Sequence, residues 1–389
     1  MSNPLDERRY KEEKPVVAIC YDFDKTLTPT DMQEQGYMQA VGYTPEEFWP
    51  ESNGLARDND MDQNSAYMYM MIDKAKGKLL INKQILHDLG KSISFFPGVE
   101  DWFDRTKKYG EEKGVIVEHY IISSGLKEII EGTSIAENGV FEKIYANAFY
   151  YNDHGEPVWP AQIVNYTNKT QFLFRIEKGV LNVNDDAVNN FYEPDKLRVP
   201  FRNMVYIGDS DTDIPCMKLV NTYGGYSIGV FNSAKMDKTK VQKMIKDGRI
   251  RYYVPADYTE NSELDQLIQI IIDRTAYNEK LENIHYNCYK ETVNNDEKTS
   301  VENKKKINLI LSLDSSRSFS RTHEIISELL VFNTWSNEHK EQLFDIAINN
   351  SQVFYILKDT DVKMFYSKLL LNMKKVSENA KKVKDIINV

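Results

Sequence analysis

The run Val16-Val17-Ala18-Ile19-Cys20-Tyr21 stops at Asp22-Phe23-Asp24, so a short apolar segment delivers two carboxylates, one residue apart, to its own C-terminal end. A short run rich in β-branched residues and closed by polar ones reads as a buried strand. On an extended chain residues two apart face the same way at roughly 6 to 7 Å, so both carboxylates can address one bound group. Two charges that close repel unless a cation or a shared proton sits with them. The other reading of the segment is a turn with aspartate as its cap.

Strand character returns at His119–Ile122, Tyr145–Tyr151, Met204–Ile207, Ser227–Val230 and Tyr252–Val254, with helix-like segments between most of them. That alternation predicts an α/β fold, a mainly parallel sheet covered on both faces, with function at the C-terminal ends of the strands. Thr30-Asp31-Met32-Gln33 and Thr44-Pro45-Glu46-Glu47 have the form of capping boxes, and helices are expected from about 30 to 108. The stretch Tyr67 to Met71 reads as core of that small bundle, with a substrate-facing lining as the alternative. Tyr145 to Trp159-Pro160 reads as a β-hairpin whose turn is Asp153-His154-Gly155, which makes His154 a turn residue and not a ligand. Ser262-Glu263-Leu264-Asp265 opens a helix that covers the sheet. Tyr289 to Lys306 is polar, including Asn294-Asn295-Asp296-Glu297-Lys298, and reads as a linker or a solvated helix surface. Beyond it, apolar periodicity around Ile325–Phe332, Leu343–Ala347 and Val362–Leu370 predicts an all-helical unit.

With 389 residues, 41% of them apolar, the chain is long enough for two or three domains. The start, Met1 to Lys14, is polar, and no apolar run approaches the roughly 18 residues of a membrane span, so a cytoplasmic protein without membrane association is expected. The net charge of −10 opposes a general grip on nucleic acid. Small anionic substrates remain compatible with it if a metal offsets the acid. Cys20, Cys216 and Cys288 lack metal or redox spacing and read as buried reduced thiols.

Three further stretches change the weight of the first. Met204-Val205-Tyr206-Ile207-Gly208-Asp209-Ser210-Asp211-Thr212-Asp213 is a second strand running into clustered acids, a hard oxygen site suited to magnesium. Tyr120-Ile121-Ile122-Ser123-Ser124-Gly125 ends a strand with a hydroxyl and small residues that offer O–H and N–H donors to a phosphate. Asn168-Lys169-Thr170 opens a helical segment with a lysine able to act as a point charge.

In that order, Asp22-x-Asp24-x-Thr26, Ser123, Lys169 and Gly208-Asp209-x-x-x-Asp213 resemble the four motifs of the haloacid dehalogenase superfamily, in matching strand context. The resemblance covers about residues 12 to 280, and the helical insertion is placed like the C1 cap of phosphoserine-phosphatase-like members. It implies a Rossmann-like core over 12–29 and 109–285, a C1 cap over 30–108, a linker over 286–306 and, outside the resemblance, a helical domain over 307–389. It further implies Asp22 as the nucleophile that becomes an aspartyl phosphate, and Asp24 as the acid that protonates the leaving oxygen and later activates water. Mg²⁺ would be held by Asp22, the Asp24 carbonyl and Asp209, with Asp213 bound through water or orienting Lys169. Ser123, Ser124, Gly125 and Lys169 would hold the phosphoryl oxygens, and Thr26, counted with them, would fix the first loop, after Asp24, through its hydroxyl.

Dehalogenases lack an acid at the position of Asp24, so its presence favours phosphate esters; phosphatase and phosphomutase share these motifs. The expected substrate is a small phosphomonoester chosen by the cap. Asp31 stands where phosphoserine phosphatases carry an acid that reads the substrate amine, though it equally suits a first helical turn. Arg57, the only arginine of the insertion, is a candidate for a substrate carboxylate, with a solvated side chain as the other reading. The alternative function is a regulatory module whose C-terminal helices bind a protein partner or a second copy, using Phe332, Trp335 and Phe344 as anchors unless these are core.

Overall fold

The computed structural model describes residues 11–235, 237–295, 301–371 and 377–388. Seven strands, β1 (Val16–Tyr21), β2 (Ile116–Leu126), β3 (Lys143–Tyr151), β4 (Pro157–Gln162), β5 (Met204–Gly208), β6 (Tyr226–Phe231) and β7 (Tyr252–Pro255), form one sheet in the order β4-β3-β2-β1-β5-β6-β7. All neighbours run parallel except the β3–β4 hairpin, which turns through Asp153–Gly155. Strand β1 is buried along its whole length, as a central strand with helices on both faces must be. It lies between β2 and β5, so the chain leaves it in one direction and returns on its other side, and a crevice opens at that switch point.

The insertion after β1 is helical, but two local expectations change. Thr30 caps no α-helix; the segment is a single 3₁₀ turn over Met32–Glu34. The Met32 N–H that a capping Thr30 would compete for is taken by the Asp24 carboxylate at 2.7 Å. Thr44 does open a helix, Pro45–Asp58, with Glu47 accepting the Thr44 N–H at 3.0 Å. The helix Val99–Lys113, whose first part falls within the expected cap, packs on the sheet instead. Its Trp102 Nε1 donates to the Tyr21 hydroxyl at 2.7 Å, and Phe103 meets the Tyr21 ring edge-on. The residues left to the insertion are the helices Tyr37–Val41, Pro45–Asp58, Gln63–Ala75 and Lys83–Gly90.

The described chain divides into two compact units, one reaching to Lys280 and one from Leu281 onward that also takes in Glu193–Asp195 and Thr222–Gly224. The helix opened by Ser262 runs from Glu263 to Asn295, so residues 286–295 are helix and not an extended linker, and Val301–Asp314 is helix again. No glycine or proline occurs in either helix, so neither holds a strong helix breaker. Asp296, Glu297 and Lys298, read above as part of a linker, lie outside the described residues, as does the polar start before Lys11. In the second unit Leu309, Leu313, Ile326, Leu329, Leu343, Phe344, Tyr366 and Leu369 form a core of their own. Phe344 is buried, while Phe332 and Trp335 are half-buried against that core. Cys20 and Cys216 are buried, but Cys288 is exposed on the long helix. No helix among the described residues is long and apolar enough to cross a membrane.

Candidate active site

Strand β1 ends by handing its ladder to Asp22, whose N–H donates to the Ile207 carbonyl of β5 at 2.9 Å. The backbone then turns tightly: Thr26 N and Leu27 N both donate to the Phe23 carbonyl, and Lys25 adopts a left-handed φ of 57°. That turn brings Asp22 and Asp24 into one cleft of about 240 Å³. Ser123, Ser124, Gly125 and Asp209 line the same cleft, together with Lys25, Asp31, Trp49, Asn64, Tyr67 and Lys240.

Beneath it sits a buried charge cluster. Lys169 is fully buried and donates to Asp22 Oδ1 at 3.1 Å and to Asp213 Oδ1 at 2.8 Å. Asp213 is held in turn by the Tyr206 hydroxyl at 2.9 Å on Oδ1, and by Ser210 N and Oγ at 3.2 and 2.8 Å on Oδ2. Gly208 makes this possible: a Cβ there would stand 2.6 Å from Asp213 Oδ2. Burial alone would push the Lys169 ammonium down, but Asp213 and Asp22 more than offset it and hold the ammonium above the ordinary lysine value.

The carboxylates behave as a site short of positive charge. Burial, then the neighbouring Asp213, raises Asp22 to about 6, with Lys169 opposing the rise. Burial raises Asp209 to about 7, with the Lys240 ammonium at 3.7 Å only partly countering it. Carboxylate oxygens of Asp22, Asp209 and Asp213 lie within 4.8 Å of one another. An all-oxygen set of this kind fits a hard divalent cation, which would supply the missing charge. Asp24 is raised well above the ordinary carboxyl value by burial, then by Asp31 and Asp22, while the Met32 N–H partly offsets this. Gly125 leaves the room: a Cβ there would meet Met32 Cε at 2.1 Å and Asp24 Oδ2 at 2.9 Å.

Other expected residues sit differently. The Thr26 hydroxyl is buried with no partner in the described structure, so it does not fix the loop. The loop is fixed through the Thr26 carbonyl instead, which accepts the Tyr258 hydroxyl at 2.8 Å from the turn after β7. The Ser123 hydroxyl accepts the Gly125 N–H at 3.0 Å, and the Ser124 hydroxyl points away from the cleft to the Val164 carbonyl at 2.8 Å. Asp31 is in the cleft but paired with Lys25 at 2.6 Å. Arg57 is not in the cleft. Its side chain is 78% exposed beside Asp58, because the helix Pro45–Asp58 turns Phe48, Ser52 and Ala56 inward and Arg57 to solvent. The stretch Tyr67–Met71 is core at Met68, Met70 and Met71, whereas Tyr69 is exposed and Tyr67 forms part of the cleft wall. Trp49, Asn64, Lys240 and Asn147 carry no local sequence signal for a site. Tyr206 had one, since it lies in the strand that leads to Asp209.

Comparison with known proteins bears on the same residues. The model of the family described as haloacid dehalogenase-like hydrolase matches residues 19–218, which span Asp22 through Asp213. An uncharacterized protein of Borreliella burgdorferi is 25% identical over 279 residues, covering 65% of this chain and 95% of that protein. Solved structures similar to the chain include a HAD family hydrolase from Salmonella enterica serovar Typhi, at 17% identity and a TM-score of 0.44, covering 67% of this chain and 74% of that one. Another is a probable phosphoserine phosphatase from Vibrio cholerae, at 15% identity and a TM-score of 0.45, covering 70% of this chain and 69% of that one. With its central strand ending in Asp22 and Asp24 and the family model running across the whole acidic cluster, this chain belongs to the haloacid dehalogenase-like hydrolase family.

Proposed function

We propose that the protein is a Mg²⁺-dependent phosphatase that hydrolyses a small phosphomonoester through an aspartyl-phosphate intermediate. The observation that carries the reading is the pairing of Asp22, tied to the buried Lys169, with Asp24, an acid whose proton affinity is raised by burial and by two neighbouring carboxylates. Asp22 attacks phosphorus through a carboxylate oxygen, and Lys169 draws off charge from the transferred group. Asp24 gives its proton to the leaving alkoxide and then, as carboxylate, takes one from the water that attacks the acyl phosphate, which regenerates Asp22 and releases inorganic phosphate. Asp22, Asp209 and the Asp24 carbonyl would hold Mg²⁺, which when bound neutralises the acidic pocket so that a phosphate dianion can enter. Asp213, with both oxygens already engaged, orients Lys169. Ser123 and Gly125, which line the cleft, would lie beside the phosphoryl oxygens. With Arg57 turned to solvent, nothing supports a carboxylate-bearing substrate of the phosphoserine kind through that residue.

The test is hydrolysis of p-nitrophenyl phosphate and of a panel of phosphorylated metabolites by wild type and Asp22→Asn, with Mg²⁺ and with EDTA. Turnover that needs Mg²⁺ and vanishes in the variant is expected; turnover that survives in Asp22→Asn would refute the assignment.

A further inference from the structure

Strand β2 does not run straight to its end. Its pairing with β3 passes from Ile122 opposite Tyr145 to Leu126 opposite Asn147, so β2 advances four residues while β3 advances two. The surplus falls on Ser123-Ser124-Gly125. Such a bulge takes backbone groups out of the ladder and re-aims the side chains around it, and here the Ser124 carbonyl is taken up by side chains instead. Asn147 Nδ2 donates to it at 2.6 Å and the Tyr67 hydroxyl at 2.8 Å. The same Nδ2 donates to the Tyr67 oxygen at 2.7 Å, and Asn147 Oδ1 accepts the Val164 N–H. The Val164 carbonyl accepts the Ser124 hydroxyl at 2.8 Å and Asn64 Nδ2 at 3.0 Å. The next residue, Asn165, receives the Lys169 N–H on its carbonyl at 3.0 Å.

A fully buried amide inside a strand is costly unless every polar atom is satisfied. Each partner of this one belongs to an element that carries part of the cleft. We propose that Asn147 is a positioning residue for phosphoryl binding: it keeps the Ser123–Gly125 bulge and the segment leading to Lys169 in register with each other and with the insertion helix that bears Tyr67. The inference rests on the phosphatase reading and goes beyond its motif residues.

Asn147→Asp preserves shape, removes both amide hydrogens and sets a carboxylate oxygen against the Ser124 carbonyl; Tyr67→Phe removes one hydroxyl. Both variants and their combination are compared with wild type by thermal melting, by Mg²⁺-supported hydrolysis of p-nitrophenyl phosphate from pH 5 to 8.5, and by inhibition with inorganic phosphate. Because small misplacements of reacting groups are costly, Asn147→Asp is expected to lose roughly 10- to 100-fold in kcat/KM at pH 8, with weaker phosphate inhibition. The deficit relative to wild type shrinks toward pH 5, where the protonated carboxyl regains one donor. Tyr67→Phe loses less, and the double variant is no worse than Asn147→Asp alone, since both act on one carbonyl. A lowered melting temperature with kcat/KM and phosphate inhibition unchanged, or a deficit equal at every pH, would overturn the proposal. If Asn147→Asp does not fold, Tyr67→Phe decides by the same two readouts. Absence of wild-type turnover would instead strike the phosphatase reading, and calorimetric binding of inorganic phosphate to wild type and variants then reports on the bulge with the same expected order.

Discussion

Replacing Asp22 by asparagine should make the metal-free protein more stable while removing its activity. The carboxyl is raised from its ordinary 3.8 to about 6 in the folded state, by burial first and then by Asp213. A carboxyl so raised favours folding while protonated, so its contribution is full below pH 3.8 and is lost as the pH climbs through about 6. At 1.36 kcal/mol per pH unit, ionising Asp22 in the folded protein at pH 8 costs about 3 kcal/mol. Asparagine never incurs that cost, and its Oδ1 can still accept the Lys169 ammonium. The assay is urea unfolding of both proteins in EDTA between pH 4 and 8.5. Taking the difference between the two cancels the titration of groups the substitution leaves unchanged. The variant should gain little at pH 4 and about 3 kcal/mol at pH 8, the rise falling between the unfolded value of 3.8 and the folded value of about 6 and half complete near pH 5. Adding Mg²⁺ should then raise the wild type more than the variant, since only the wild type keeps that ligand carboxylate. A variant less stable than wild type at pH 8 in EDTA, or a difference that does not change with pH, would refute the reasoning.

Two further outcomes concern Asp31 in the cleft and His119 in the core. Asp31→Asn removes the largest charge acting to raise Asp24, so the pH at which the general acid loses its proton should fall. The basic limb of kcat for an alkyl phosphate, whose poor leaving group needs that proton, should move to lower pH; an unmoved limb would separate Asp31 from Asp24. His119 Nδ1 shares a hydrogen bond of 3.0 Å with the Tyr21 hydroxyl, and burial lowers its imidazole to about 3, so it is neutral in the fold. Its stabilising contribution is present above pH 6.5 and is lost as the pH falls toward 3, at up to about 1.4 kcal/mol per pH unit. His119→Phe should flatten the decline in urea stability between pH 6.5 and 5, at some cost at neutral pH.

The alternating strands, the acids that close β1 and β5, and the hairpin turn at Asp153–Gly155 were all legible in the sequence, because each depends on neighbours a few residues away. The polar run from Tyr289 to Lys306 was open to two readings, linker or solvated helix surface, and its described parts are helix, as the absence of glycine and proline favours. What could not be read was set by partners distant in the chain. Tyr67 faces the cleft while Met68 and Met71 fill the core, a division made by how one helix is rotated against the sheet. Arg57 was placed on solvent by the same kind of rotation. The Val99–Lys113 helix went to the sheet because Trp102 could reach Tyr21, 81 residues earlier.

Chemistry that hangs on a side chain at the end of a strand is written locally, since the strand fixes its direction and a motif fixes its spacing. Whether Thr26 acts through its hydroxyl or its carbonyl, which residue holds the Ser124 carbonyl, and how far Asp22 and Asp209 are raised depend on which groups packing brings near. Hydrogen bonds and desolvation act over a few ångströms of space, whatever the separation in sequence. The sequence by itself therefore determined the fold class and the acids at its strand ends, and only the tertiary structure decided their partners, their proton affinities and the wall of the cleft around them.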